Sequence, residues 1–236
     1  MNDKRKLWIG ITLLATFALV LIGVLGPVWN GRSGLEVSDD LFNSLAKGST
    51  YYIPEQMEKA DKWVGDPVSI TLKTKSEEEA QLTAKLYQSA GADVKAEGLN
   101  IKVDGDLGNI AKACLADADA VFNNKPETIT AKYGAGVNDR EVIYYWYNSM
   151  KQINKAYLTA RGAGPRYLYT KAIMEKALEP TYNFYGLKVS TLNSVMGLTV
   201  FLLVFYLLYT VWYGFGILYT FEGLGIVAHS GGKHEA

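Results

Sequence analysis

The sequence predicts a membrane-anchored α+β protein, with two transmembrane helices flanking an exported ferredoxin-like (βαββαβ) module and a membrane-proximal helical hairpin. Three observations predict it. Two long stretches free of charged side chains lie near the ends, Leu7 to Gly31 and Val189 to Phe221. Nearly all charge falls between them: of 24 basic and 24 acidic residues, only Lys4, Arg5, Lys6, Lys233, Asp3, Glu222 and Glu235 lie outside residues 32–188. Within 68–133 the hydrophobic period alternates between 2 and 3.6 residues in the order β-α-β-β-α-β. The segments are then a cytoplasmic N-tail over 1–6, a first transmembrane helix over 7–29, and a lead-in of short helices over 30–67. The α/β module covers 68–133, the hairpin 134–188, the second transmembrane helix 189–213, and an interfacial segment with a cytoplasmic tail 214–236.

The first apolar stretch, "LWIGITLLATFALVLIGVLGPVWN", exceeds the ~7–15 apolar residues of a signal peptide. Pro27 stands where a cleavage site would fall, so the stretch reads as a retained anchor. Trp8 and Trp29 would mark its two interfaces, where indole rings are enriched. Lys4, Arg5 and Lys6 before it place the N-terminus in the cytoplasm and the middle region on the outer face. Lys171, Lys176 and Lys188 ahead of the second span run against that orientation, but long loops cross largely regardless of charge.

In the lead-in, "SDDLFNSLAKG" offers Ser38 as a helix cap and Gly48 as a stop, and "IPEQMEKADKWVG" places Pro54 at a first helical position before Gly65. "VSITLKT" alternates as a strand. "SEEEAQLTAKLYQSAG" is a helix opened by a Ser76–Glu79 capping box, with Leu82, Leu86 and Ala90 on one face. "DVKAEGLNIKV" gives two strands around Glu97-Gly98, with Leu99, Ile101 and Val103 sharing a side. "DGDLGNIAKACLADADAVF" is a helix buried along Ile110, Cys114, Ala118 and Val121, and "ETITAKY" is the expected last strand. The hairpin follows. Asn138 caps its first helix, whose seam is Ile143, Trp146, Met150, Ile153 and Tyr157. "GAGP" at 162–165 turns the chain, and the second helix presents Tyr169, Ile173 and Ala177 until Pro180 stops or kinks it.

A helix from about Leu192 to Trp212 is long enough to form the second span. Trp212 and Tyr213 would mark its inner interface, and Gly214, Gly216, Gly223 and Gly225 argue against a longer rigid helix. Thr199, Tyr206 and Tyr213 repeat every seven residues, with Tyr209 and Thr210 alongside, so one face carries hydroxyls. Polar groups are costly against lipid, and such a face is expected to meet another helix.

Reactive chemistry is sparse. Cys114, the single cysteine, falls on a buried stripe and reads as core; one cysteine excludes a disulfide or a zinc quartet within the chain. His229 and His234 lie in the terminal "AHSGGKHEA", so the exported region lacks the usual general base. "DGD" at 104–106 reads as a turn and helix cap, since the other calcium-loop ligands are missing. Neither a cofactor nor a metal is expected. A net charge near zero leaves no field for nucleic acid. No N-x-Ser/Thr sequon occurs, which favours a prokaryotic envelope.

The expected role is a non-enzymatic accessory or scaffold subunit of a multi-subunit complex in the cell (inner) membrane, both termini cytoplasmic. Its partners would be other integral membrane subunits or copies of itself, and the bilayer. The alternative is an exported ligand sensor or a regulator of polysaccharide chain length. Polysaccharide co-polymerases share the topology, but their proline-rich approach to the second span has no counterpart in "TLNSVMG".

Overall fold

Asp3 starts the first helix: its carboxylate accepts hydrogen bonds from the backbone N–H groups of Arg5 and Lys6, satisfying two of the donors a helix start leaves free. In this computed structural model, which describes residues 3–161, 164–190 and 192–226, helix α1 (Lys4–Leu25) ends just before Pro27. The chain divides into two units, residues 1–42 with 191–236, and residues 43–190.

Helix α2 (Gly34–Ser49) begins one turn earlier than "SDDLFNSLAKG" suggests. Ser33 is the cap: its Oγ accepts from the Glu36 N–H at 3.2 Å, and the Glu36 carboxylate accepts from the Ser33 N–H at 2.7 Å. Ser38 therefore lies inside the helix and donates its hydroxyl to the Gly34 carbonyl, and Gly48 is helical as well.

The second unit holds the core. Helix α3 (Ile53–Ala60) carries Pro54 in its first turn, and a 3₁₀ turn over 61–63 leads to Gly65, at φ +90°. Strand β1 (Pro67–Lys73), helix α4 (Glu77–Ser89) and strands β2 (Asp93–Glu97) and β3 (Asn100–Asp106) follow, then helix α5 (Leu107–Phe122). The sheet order is β1-β3-β2, with β3 antiparallel to both neighbours. Val68, Leu72, Ile101 and Val103 are buried on its inner face, against which α4 and α5 pack. Leu99, expected with them, is exposed at the hairpin turn. Ser76 caps α4 as anticipated, but Glu79 returns its bond to the N–H of Lys75. The buried face of α4 runs through Ala80, Thr83, Leu86 and Tyr87, whereas Leu82 and Ala90 are half-buried.

The ferredoxin-like arrangement stops at its fifth element, so what stands is a helix-rich unit with a small three-stranded antiparallel sheet. Residues 127–133, expected as the last strand, belong to helix α6 (Pro126–Tyr133). Pro126 sets a first helical position, and the two buried side chains, Ile129 and Tyr133, lie four residues apart, a helical spacing. Gly134, at φ +111°, ends it.

With no fourth strand among the described residues, the outer edge of β1 is partly closed by a side chain. Gln152, on helix α7 (Asp139–Arg161), accepts from the Lys73 N–H at 2.8 Å and donates to the Lys73 carbonyl at 2.9 Å. Antiparallel alternation puts Pro67 on the same outward edge, where proline presents no donor.

Ile143, Trp146, Met150 and Ile153, along α7, are all at most 1% exposed, and Tyr157 packs against the same cluster. The return helix comprises α8 (Pro165–Ile173), a π turn over 174–178 and α9 (Glu179–Asn183). Pro180 does not stop it. The π turn lets the Glu179 N–H reach the Met174 carbonyl, and the helix continues past the proline. Residues 162 and 163 of the expected "GAGP" turn lie outside the described residues. Helix α10 (Leu192–Leu224) then runs 33 residues without a break, through Gly197, Gly214, Gly216 and Gly223, to Gly225 at φ +77°.

Candidate functional site in the paired apolar helices

Both α1 and α10 are long and apolar enough to cross a membrane. They lie side by side in antiparallel fashion. Lys6 Nζ stands 2.9 Å from the Glu222 carboxylate, Gly10 faces Thr220, Leu14 faces Gly216, and Phe17 meets Tyr209 and Tyr213. Of the glycines read as breakers, Gly216 and Gly223 are contact points instead, while Gly214 has no such neighbour among the described residues and Gly225 lies just past the helix end. A Cβ on Gly216 would stand 2.8 Å from Leu14 Cδ2, one on Gly223 2.6 Å from Leu7 Cβ, and one on Gly10 2.9 Å from Thr220 Cα. Small residues let two backbones approach where no hydrophobic drive separates helix from lipid. The signal was in the sequence, as Gly216, Thr220 and Gly223 share one helical face, but it reads correctly only once the partner helix is known.

The hydroxyl stripe divides in this arrangement. Tyr209 stacks on Phe17 with centroids 4.1 Å apart, and its hydroxyl donates to the Phe17 carbonyl at 3.5 Å. Tyr213 packs at 4.9 Å from the same ring. The Thr210 hydroxyl donates to the Tyr206 carbonyl within α10, and Thr199 is half-buried. Tyr206 is 70% exposed.

Of the expected interface markers, Trp8 and Trp29 are exposed near the two ends of α1. Trp212 falls elsewhere. It lies next to the residues that meet Phe17, ten residues before Glu222 and so roughly 15 Å inside that end of the pair. Its indole N–H is enclosed without an acceptor among the described residues.

The second unit presents structural polar contacts. Asp117, 2% exposed, accepts from Tyr133 Oη at 2.5 Å, Trp146 Nε1 at 2.8 Å and Lys132 Nζ at 2.8 Å, tying α5 to α6 and α7. Asp106 caps α5 through the Asn109 N–H, but residues 104–106, expected as a turn, form the end of strand β3. Asp119 accepts from Tyr51 and Asn123, and Asp104 from Ser69. Arg166 pairs with Asp66, and Arg140 stacks on Tyr182 at 4.5 Å; in the first unit Arg32 pairs with Asp40. Cys114 is fully buried, and burial pushes its thiol well up. Among the described residues no group of three metal-ligating side chains occurs; His229 and His234 lie outside them.

Burial also pushes the phenols of Tyr87, Tyr133 and Tyr169 above their ordinary value, and that of Tyr157 up to about 12. In the unfolded chain they ionise near pH ~10. Above that pH the unfolded state has released protons the folded state still holds, so stability falls as pH rises. Lys47, whose ammonium burial holds below the usual value, acts with the opposite sign but is one group against four. Alkaline titration is expected to give a first tyrosinate phase without loss of circular dichroism and a second that coincides with unfolding. A single tyrosinate phase with no unfolding would contradict it.

Compared with protein-family models, with curated proteins and with solved structures, the chain matches none.

Proposed function

We propose that the chain is a non-enzymatic accessory or scaffold subunit of a multi-subunit membrane complex. The carrying observation is the division of the tyrosine face. Tyr209 and Tyr213 are engaged by Phe17 inside the chain, while Tyr206, on the same helix, keeps 70% of its surface outward. A hydroxyl held against hydrocarbon lacks the water that would satisfy it, and a neighbouring helix supplies an acceptor. In this reading residues 30–188 stand on the outer face of a prokaryotic inner membrane, and both termini are cytoplasmic. The structural engagement of Asp104, Asp106, Asp117 and Asp119, and the inert setting of Cys114, support a binding role over a catalytic one.

Tyr206→Leu tests it, because leucine keeps the apolar bulk and removes the hydroxyl. Recovery of partner membrane subunits in mild detergent is expected to fall roughly threefold or more, from the loss of ~0.6 kcal/mol or more in an interhelical hydrogen bond. Unchanged recovery refutes the interface. The ligand-sensing alternative predicts instead a thermal shift of the full chain with a small ligand, and the chain-length-regulating alternative a homo-oligomer without other subunits.

A further inference from the structure

Below Phe17 the two apolar helices touch; above it they part. Between the second half of α1, the loop at Val28 and Trp29, the first turns of α2 and the first half of α10 lies a cleft of about 750 Å³. Its walls are hydrocarbon and aromatic, among them Val24, Leu35, Phe42, Phe201 and Phe205. The few polar groups on the lining are largely occupied: Ser38 donates to the Gly34 carbonyl at 2.8 Å and Tyr209 to the Phe17 carbonyl at 3.5 Å. The volume is that of a small-molecule site, for which ~300–1,000 Å³ is usual.

We infer that this cleft holds one acyl chain of a membrane phospholipid. The inference rests on α1 and α10 crossing a bilayer. Two features select an acyl chain over a helix. The lining begins at Leu198 and stops at Tyr209, eleven residues along α10, or roughly 16 Å at the helical rise. That is half of a hydrocarbon core of ~30 Å, the depth of one leaflet. It also ends where the helices close on each other at the stack of Phe17 on Tyr209. A through-running helix, about 10 Å wide, would need a groove along the whole pair; a chain hanging from one leaflet needs only this half. The cleft is continuous with the α1–α10 contact, so filling it extends that packing where the helices separate. Tyr206 lines the cleft yet stays largely exposed, which leaves room for a partner helix beyond the lipid.

Gly23 is the place to test this. It lines the cleft, and a Cβ built on it meets nothing within 4 Å. Gly23→Phe would fill the space, and Gly23→Ala would leave most of it; both raise helix propensity, so α1 is retained. Membranes carrying the full chain are first washed with alkaline carbonate. Release of the protein would overturn the membrane reading itself, and retention confirms it. Native mass spectrometry of the retained protein in mild detergent is then expected to show one phospholipid adduct per chain for the natural sequence and for Gly23→Ala. With Gly23→Phe occupancy falls roughly tenfold, the size of an overpacking penalty. Tyr206→Leu, which keeps the wall apolar, retains the adduct. An integral protein without the adduct, or equal occupancy in Gly23→Phe, overturns the lipid assignment alone, as does a polypeptide that departs with Gly23→Phe in place of a lipid.

Discussion

Asp117→Ala is expected to lower the stability of the folded domain by about 3–5 kcal/mol, the range for removing one partner of a buried charged contact. The carboxylate is 2% exposed and receives three donors from two other helices. Truncation leaves the Trp146 indole N–H and the Tyr133 hydroxyl to find new acceptors, in a place where Trp146 itself is fully buried. It also strips Lys132 of its carboxylate, at 2.8 Å, though that lysine is partly exposed and water recovers some of the loss. Asp117→Asn separates the contributions. The amide keeps the shape and one acceptor oxygen, so its cost should fall clearly below that of alanine. Urea denaturation of the full chain in mild detergent, followed by near-ultraviolet circular dichroism, reads both. Equal midpoints for the natural protein and Asp117→Ala would show that the three donors are satisfied elsewhere.

The second large effect belongs to the paired helices. Gly10→Leu is expected to force α1 and α10 apart, because its Cβ alone would stand 2.9 Å from Thr220 Cα, and a backbone atom cannot turn aside as a side chain can. Overpacking costs typically ~1–3 kcal/mol where side chains yield, and the upper end or more applies here. Lys6 and Glu222 give a direct readout. Their side chains are 2.9 Å apart, so a zero-length carbodiimide should join them and hold the two ends of the chain together after proteolysis between them. Gly10→Leu should abolish that product. Gly214→Leu, whose Cβ has no neighbour within 4 Å, should leave it intact.

Much of the second unit was legible because its periodicity and its burial agree. The stripe Ile110, Cys114, Ala118, Val121 and the seam from Ile143 to Ile153 are buried at helical spacing, and Gly98, at φ +58°, makes the hairpin turn between β2 and β3. The failures have distinct physical causes. "ETITAKY" carries too few apolar residues to fix a period, and Pro126 together with the Ile129–Tyr133 spacing decided for helix. Ser38 looked like a cap because its neighbours are acidic, but Ser33 and Glu36 complete the reciprocal pair. The glycines of α10 break helices in water, where nothing rewards their small size. Gly216, packed against Leu14, and Gly223, packed against Leu7, are what permits the contact.

The polar anchors were illegible for a different reason. Asp117 meets Trp146 29 positions away, and Lys6 meets Glu222 216 positions away. No local pattern announces a pairing at such separation. The same holds for Tyr206. Its place in the seven-residue repeat was readable, but its separation from Tyr209 and Tyr213 depends on where Phe17 falls.

Everything proposed for the chain depends on α1 and α10 crossing a membrane in opposite directions, with the domain between them on the outer face. Topology reporters attached ahead of residue 3, within the turn at Gly98, and after residue 226 measure this directly. Cytoplasmic signals are expected at the first and last positions and an exported signal at the turn. A reporter at Gly98 found on the same side as residue 3 would contradict it.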